Sequence, residues 1–361
     1  MQQKTLTVVI PTYNMEKYLR RCLDSLIVGE EQMAQLEVLV INDGSKDTSS
    51  AIAHEYEKKY PGTFRVIDKE NGHYGSCVNR GLKEATGKYI KVLDADDWYD
   101  TKNFEKYIDI VKDLDVDLVL NDFVRVTPDG TIIDKNTMNA EGYKVFDFFK
   151  SKATKQVMQY IAYKTENVRK INYHQTEGVS FTDGQWAFVP LCSVKTAYYI
   201  PLVIYMYLVG REGQSIGMEM GKRISTNFKV NADTLKLLEN TKKYYDHDAY
   251  VIQRDRLLES CNNQYKKVIF LCKEKTDELK AFDAMFKENY PELYEEAESI
   301  MMLSHKIPYK YLPYWRKHGH VNNWSIFVWL YRLYLRKTEV NETRKYRARK
   351  GFVCDAFFSF M

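Results

Sequence analysis

Long apolar runs are missing from this chain. The two longest, around 198–209 and 324–335, are interrupted or too short to cross a bilayer, so no membrane-spanning segment is expected. Residues 1–4 lead directly into a strand-like stretch at 6–10, and no secretory leader is expected ahead of it. Paired cysteines are missing too. Cys22, Cys77, Cys192, Cys261, Cys272 and Cys354 stand apart with no CxxC, which fits neither a zinc site nor a disulfide framework. A reducing, cytoplasmic setting is the simplest expectation. Charge of one sign is scarce: the formal net charge of +4 is too small to argue for nucleic acid, and no nucleic-acid-binding motif accompanies it. Proline is rare, 8 residues in 361, and there is no Gly/Ser linker and no internal repeat. What is abundant is aromatic, 28 Tyr and 17 Phe, within a globular balance of 45% hydrophobic and 28% charged residues. The length is more than one small domain needs, which leads us to expect a catalytic domain with a C-terminal extension.

Strand and helix signals alternate through the first 120 residues. Apolar runs at 6–10, 36–41, 64–67, 89–93 and 117–120 read as buried strands. Between them Leu19, Cys22, Leu23 and Leu26 recur at helical spacing behind an Asn14 cap, Ile52, Ala53 and Tyr56 form a second stripe, and 78–85 and 104–111 read as helices. Alternation of this kind predicts a parallel sheet covered by helices. From Phe123 the pattern changes. Residues 124–126 and 131–133 flank Pro128-Asp129-Gly130, a hairpin turn at which the parallel sheet is expected to end. A mixed stretch follows to about 221, including a strand-like 198–208, and 230–290 reads as mainly helical. We therefore expect a catalytic domain over 1–223, with halves 1–125 and 126–223, and a helical region over 224–361 that ends in an aromatic and basic tail.

Ligands of open α/β sheets sit beyond the carboxyl ends of the strands, so the residues after each apolar run are the ones to inspect. They are Pro11-Thr12-Tyr13-Asn14, Asn42-Asp43-Gly44-Ser45 and Asp94-Ala95-Asp96-Asp97. Three carboxylates in four residues repel one another unless a cation or hydrogen-bonding ligand is present. Hard divalent ions such as Mn²⁺ or Mg²⁺ take oxygen ligands and complete their shell with substrate phosphates. A solvated acidic turn capping the next helix is the other reading of the same residues. Between these loops the small residues of Asn71-Gly72-His73-Tyr74-Gly75-Ser76 open a helix and leave backbone N–H groups for a phosphate. His73 and His174 have no partner at metal-ligand spacing.

Val8-Val9-Ile10-Pro11-Thr12-Tyr13-Asn14, Val40-Ile41-Asn42-Asp43-Gly44-Ser45-Lys46-Asp47 and Leu93-Asp94-Ala95-Asp96-Asp97-Trp98 together resemble, in order and spacing, the family 2 glycosyltransferases of GT-A fold. The resemblance covers roughly 5–125. It implies an α/β GT-A nucleotide-diphospho-sugar transferase fold with a mostly parallel, Rossmann-like sheet and a mainly α-helical C-terminal extension. It implies further that Pro11, Thr12 and Tyr13 line a base pocket, that Asp43 hydrogen-bonds the nucleobase with Ser45 beside it, and that Asp94 and Ala95 meet the ribose or sugar. Asp96 would coordinate Mn²⁺ or Mg²⁺, and Gly75, Asn79 and, less directly, Arg80 would lie near the donor.

An inverting transferase needs a base for the acceptor hydroxyl. Asp183, in Ser180-Phe181-Thr182-Asp183-Gly184-Gln185-Trp186, resembles the family's acidic base motif, although Thr182 stands where the family usually has Glu. A helix N-cap is the competing reading of Asp183. Arg211, with Gln214 and Ser215, resembles a basic loop that closes on the diphosphate, and a solvated surface turn explains it equally. The implied activity is transfer of a sugar, most simply from a UDP-sugar, to a hydroxyl of a glycan or lipid-linked acceptor in cell-surface polysaccharide synthesis. A metal-dependent nucleotidyltransferase and a non-catalytic nucleotide-binding module are the alternatives. In the tail, Trp324, Phe327, Trp329, Tyr331 and Tyr334 mingle with Arg332, Arg336, Lys337, Arg344, Lys345, Arg347, Arg349 and Lys350. This composition suits the inner face of a membrane or packing on a second subunit as a homo-oligomer.

Overall fold

A computed structural model describes residues 4–138, 140, 142–151, 157–211, 220–304 and 306–335. By contact the chain divides into two compact units, 1–211 with 240–249, and 212–239 with 250–361.

The first unit follows the alternation read from the sequence. It runs β1 (Leu6–Thr12), α1 (Leu19–Asp24), α2 (Glu30–Gln35), β2 (Leu36–Asn42), α3 (Ser49–Lys59), β3 (Phe64–Asp68), α4 (His73–Glu84), β4 (Tyr89–Val92), β5 (Trp98–Tyr99), α5 (Thr101–Val111) and β6 (Leu118–Val126). Then come β7 (Ile132–Asn136), β8 (Val145–Asp147), β9 (Ile161–Lys164), α6 (Thr165–Lys170), α7 (Asp183–Trp186) and β10 (Thr196–Leu208). These strands form one sheet in the order β3-β2-β1-β4-β9-β6-β10-β5, with β7 on β6 and β8 on β10. Pairing is parallel from β3 through β4, and β1, β2 and β4 in this half are mainly apolar and buried on both faces, while the edge strand β3 is mostly half-buried. The carboxyl ends of β1, β2 and β4 therefore reach one edge, as expected of a doubly wound sheet.

The sheet does not end at residue 123. Residues expected to be a short strand and a separate hairpin arm are one strand, β6, whose apolar run is interrupted by buried Asn121 and Asp122. Those side chains are satisfied in place: Asn121 Oδ1 accepts from Lys91 Nζ at 2.8 Å and Asp122 Oδ1 from Tyr199 OH at 2.6 Å. The hairpin is present, with β7 antiparallel to β6, while β10 extends the sheet parallel to β6 and β9 lies antiparallel between β4 and β6. Lys91 is wholly buried at this junction and also donates to the carbonyls of Gln159 and Ile161, each at 3.1 Å. Desolvation pushes its amine far below the usual lysine range.

The second unit is helical, as the resemblance implied: most of α8 (Met220–Thr241) and of α9 (His247–Phe270), then α10 (Thr276–Asn289), α11 (Pro291–Ile300), α12 (Leu312–His318), and helix again over 326–335. Its interior includes Tyr265, Phe282, Phe286, Leu312 and Trp315. Asp283 joins the helices there by accepting from Tyr265 OH, Tyr294 OH and Arg316 Nε. None of the described helices is long and apolar enough to cross a membrane.

Candidate active site

The loops after β1 and β2 hold each other. Asn14 N donates to Ser45 Oγ (3.0 Å) and Lys46 N to Asn14 Oδ1 (2.8 Å), while Glu16 N reaches Asp47 Oδ2 and Met15 N reaches Ser49 Oγ. Asn14 is thus not the cap of α1, where Tyr18 holds the N-cap position without a side-chain bond. It adopts a left-handed backbone (φ 54°), which asparagine tolerates better than most residues, and cross-links the loops. Gly44, at φ 71°, turns the chain after Asp43 as only glycine does without strain.

Asp43 is buried, and its Oδ1 accepts from Lys69 Nζ (2.6 Å) and Gly72 N (2.9 Å). Lys69 also donates to Ser76 Oγ at 2.9 Å. Beside this pair opens a cleft of about 520 Å³ whose lining includes Tyr13, Asn42, Gly44, Lys69 and Asn71. Tyr13 is exposed over it, Thr12 is buried with its hydroxyl on the Ile10 carbonyl, and Pro11 is half-buried. Sequence reasoning missed Lys69. The available signal was its position one residue beyond β3, the strand end that had not been inspected.

The acidic loop follows β4. Ligand oxygens of Asp94, Asp96 and Asp97 all lie within 4.8 Å of one another. They are not equivalent. Asp97 is fully buried and saturated, accepting from Tyr205 OH (2.6 Å) and from the backbone N–H of Leu208 (2.7 Å), so it ties the loop to β10. Asp94 is half-buried and accepts from Tyr74 OH at 2.9 Å through Oδ1. Burial, then the charges of Asp96 and Asp183, push its carboxyl up to about 7 against the bond from Tyr74. Asp96 Oδ2 accepts from Arg211 Nε, whose guanidinium lies 5.2 Å from the Tyr18 ring centroid. Asp94 Oδ2 and Asp96 Oδ1 have no hydrogen-bond partner among the described residues. An all-carboxylate donor set with unpartnered oxygens fits a hard divalent cation. Ala95 is buried between the two.

Asp183 is the first residue of α7, one position past the N-cap Thr182, and is close enough to Asp94 for its charge to act there. The backbone approaching each side of this group is strained: His73 (φ 65°) precedes Tyr74, and Phe181 (φ 61°) stands two residues before Asp183. Buried amides fix the start of α7. Gln175 Nε2 donates to Thr182 Oγ1, and Gln185 exchanges bonds with Thr176 N and Thr176 Oγ1, all at 2.9 Å.

Gly75 and Asn79 serve that same segment. A Cβ at Gly75 would stand 2.0 Å from the Thr176 carbonyl oxygen, so glycine is needed there for α4 to touch the 175–176 backbone. Asn79 donates to Gln175 O and Glu177 Oε1 and accepts from Gln175 N. Arg80 is paired with Glu84 at the surface. The structure thus places Tyr13, Asp43, Ser45, Asp94 and Asp96 on the carboxyl-end loops, with Arg211 on Asp96 and Asp183 near enough to act on Asp94, whereas Gly75 packs on and Asn79 bonds to the 174–177 segment. Gln214, Ser215, Cys354 and the basic residues from Arg336 onward lie outside the described residues.

A parallel half-sheet whose carboxyl edge carries an open cleft after β1 and β2 and an acidic loop after β4 is the architecture of the GT-A fold. Staphylococcus aureus TarS, residues 1–349, solved with UDP, shares that fold with a TM-score of 0.64 at 17% identity, over 87% of each chain. Residues 7–171 match the family described as Glycosyl transferase family 2. The chain is 40% identical over 102 residues to an uncharacterized glycosyltransferase of Mycoplasma genitalium, covering 28% of this chain and 34% of that one. It is 37% identical over 102 residues to the minor teichoic acid biosynthesis protein GgaB of Bacillus subtilis, covering 28% of this chain and 11% of that one. The alignment with the Mycoplasma relative spans about a third of that protein's length.

Proposed function

We propose that the protein is an inverting glycosyltransferase that moves a sugar from a nucleotide-diphosphate donor to a hydroxyl of a glycan or lipid-linked acceptor. The observation that carries this reading is the clustering of Asp94 and Asp96 after β4, with Asp183 near enough for its charge to act on Asp94. Uridine suits the cleft: the imide N–H of uracil donates, and Asp43 offers a carboxylate acceptor at its edge. The fold relative solved with UDP is consistent with that choice. Asp94 and Asp96 would hold Mn²⁺ or Mg²⁺, which when bound neutralises diphosphate charge. Asp183 takes the proton of the acceptor hydroxyl as its oxygen attacks the anomeric carbon, and the bond to the diphosphate breaks on the opposite face. A single displacement of this kind inverts the anomeric centre.

The deciding assay incubates the full chain with a panel of nucleotide sugars and Mn²⁺ and identifies the released product. Nucleoside diphosphate is expected. Pyrophosphate would point to nucleotidyl transfer, and donor binding without turnover under any divalent ion would leave only a binding module.

Localisation at the inner face of an anionic membrane is the second part of the proposal. Trp324 is 98% exposed and Trp329 55%, and Ile326, Leu330 and Tyr334, also exposed, share a helix face by four-residue spacing. Arg332 lies among them, and the sequence beyond is strongly basic from Arg336 to Lys350. Apolar side chains beside cations match the headgroup level of an acidic bilayer. Vesicles of phosphatidylglycerol are expected to pellet the wild-type chain and to lose most of a Trp324→Ser/Trp329→Ser variant. Equal pelleting of the two removes the membrane assignment, and a change in oligomeric state instead assigns the surface to a second copy.

A further inference from the structure

We infer that Arg211 serves as a resident cation at Asp96 in the ligand-free protein, and that it leaves Asp96 for the donor's phosphates when cation and nucleotide bind. The inference rests on the glycosyltransferase reading above and deepens it. Two residues to which sequence reasoning gave different partners, Asp96 a metal and Arg211 a diphosphate, are instead bonded to each other through Oδ2 and Nε. Both side chains are 11% exposed, so solvent screens the pair only weakly.

The surroundings explain the pairing. Asp94 and Asp97 lie within the same 4.8 Å cluster, and each takes hydrogen bonds from neutral groups: Tyr74 on Asp94, Tyr205 and the Leu208 N–H on Asp97. Arg21 reaches only the Asp96 backbone carbonyl, at 3.2 Å, while its guanidinium stacks on Trp98 at 3.7 Å. Among the described residues Arg211 is therefore the cation that meets the Asp96 carboxylate, and its guanidinium also lies over the Tyr18 ring.

A guanidinium on Asp96 Oδ2 and a divalent ion on Oδ1 would share one carboxylate, and at that distance the two cations repel each other. A metal ion alone binds against the charge of Arg211 and shares its counter-charge, which lowers the ion's apparent affinity. A nucleoside diphosphate changes the balance. It offers Arg211 a replacement anion that a planar guanidinium can grip with two parallel bonds. Each ligand then eases the entry of the other, and the coupling is reciprocal.

The test titrates Mn²⁺ into the full chain by electron paramagnetic resonance, with and without UDP. Arg211→Gln is expected to bind Mn²⁺ on the order of tenfold more tightly than wild type without UDP, and to lose most of the affinity gain that UDP gives wild type. Tyr18→Leu, which removes the ring behind the guanidinium, is expected to move the same way by a smaller factor, and serves if Arg211→Gln folds poorly. Unchanged or weaker Mn²⁺ affinity in both variants overturns the exchange. Asp96→Asn separates the two readings: if it abolishes Mn²⁺ binding while Arg211→Gln is neutral, only the exchange fails. If wild type with UDP holds no Mn²⁺, both fail.

Discussion

In an Asp183→Asn variant, kcat is expected to fall by on the order of 10²–10⁴-fold while donor affinity stays nearly constant. The amide keeps the size and polarity of the side chain but cannot take a proton from a hydroxyl. Asp183 opens α7, buried bonds among Gln175, Thr176, Thr182 and Gln185 help fix the start of that helix, and the asparagine keeps an acceptor oxygen at the same place. A melting temperature close to wild type should therefore accompany the loss. A second consequence separates a charged base from a polar spacer. The negative charge at 183 helps raise Asp94, so the variant should let the Asp94 carboxyl fall back and move the acidic limb of donor binding to lower pH. Wild-type turnover in the variant would remove Asp183 from the base role.

The donor side was far more legible in the sequence than the frame that supports it. β1, β2 and β4 are mainly apolar runs that stop at polar loops, and composition and punctuation suffice to find them. β6 was split in the reading because Asn121 and Asp122 interrupt its run, and only the fold supplies Lys91 and Tyr199 to satisfy them. β9 is four residues long and carries no signal of its own. Tyr74 and Tyr205 look like core aromatics in sequence, yet their hydroxyls set the states of Asp94 and Asp97. Asn79 was expected near the donor because of the family resemblance. Its bonds run to Gln175 and Glu177, nearly a hundred positions away, and spacing holds no information about such a contact. Local chemistry is visible in a sequence, while the partners that orient it are mostly non-local.

Loss of Asp96 is expected to have a comparably large effect. Asp96→Ala should lower transfer about 10³-fold, the equivalent of about 4 kcal/mol of support for the leaving diphosphate. The fold should survive, since Asp96 sits in the loop after β4 and its side chain holds only Arg211, whereas the tie to β10 belongs to Asp97. The dependence on pH gives a check that needs no turnover. With its carboxyl raised to about 7, Asp94 is protonated in the cation-free fold at pH 6 and ionised at pH 8. The raised value means that its contribution to cation-free stability is present at low pH and lost as pH rises toward 7. Cation binding runs the other way, because below 7 the ion must displace a proton. The rise in melting temperature caused by Mn²⁺ should therefore be small at pH 6, grow through pH 7 and level off near pH 8. In Asp96→Ala it should be nearly absent throughout. A wild-type shift that is flat from pH 6 to 8 would detach Asp94 from the cation and leave Asp96 to hold it without help from that carboxylate.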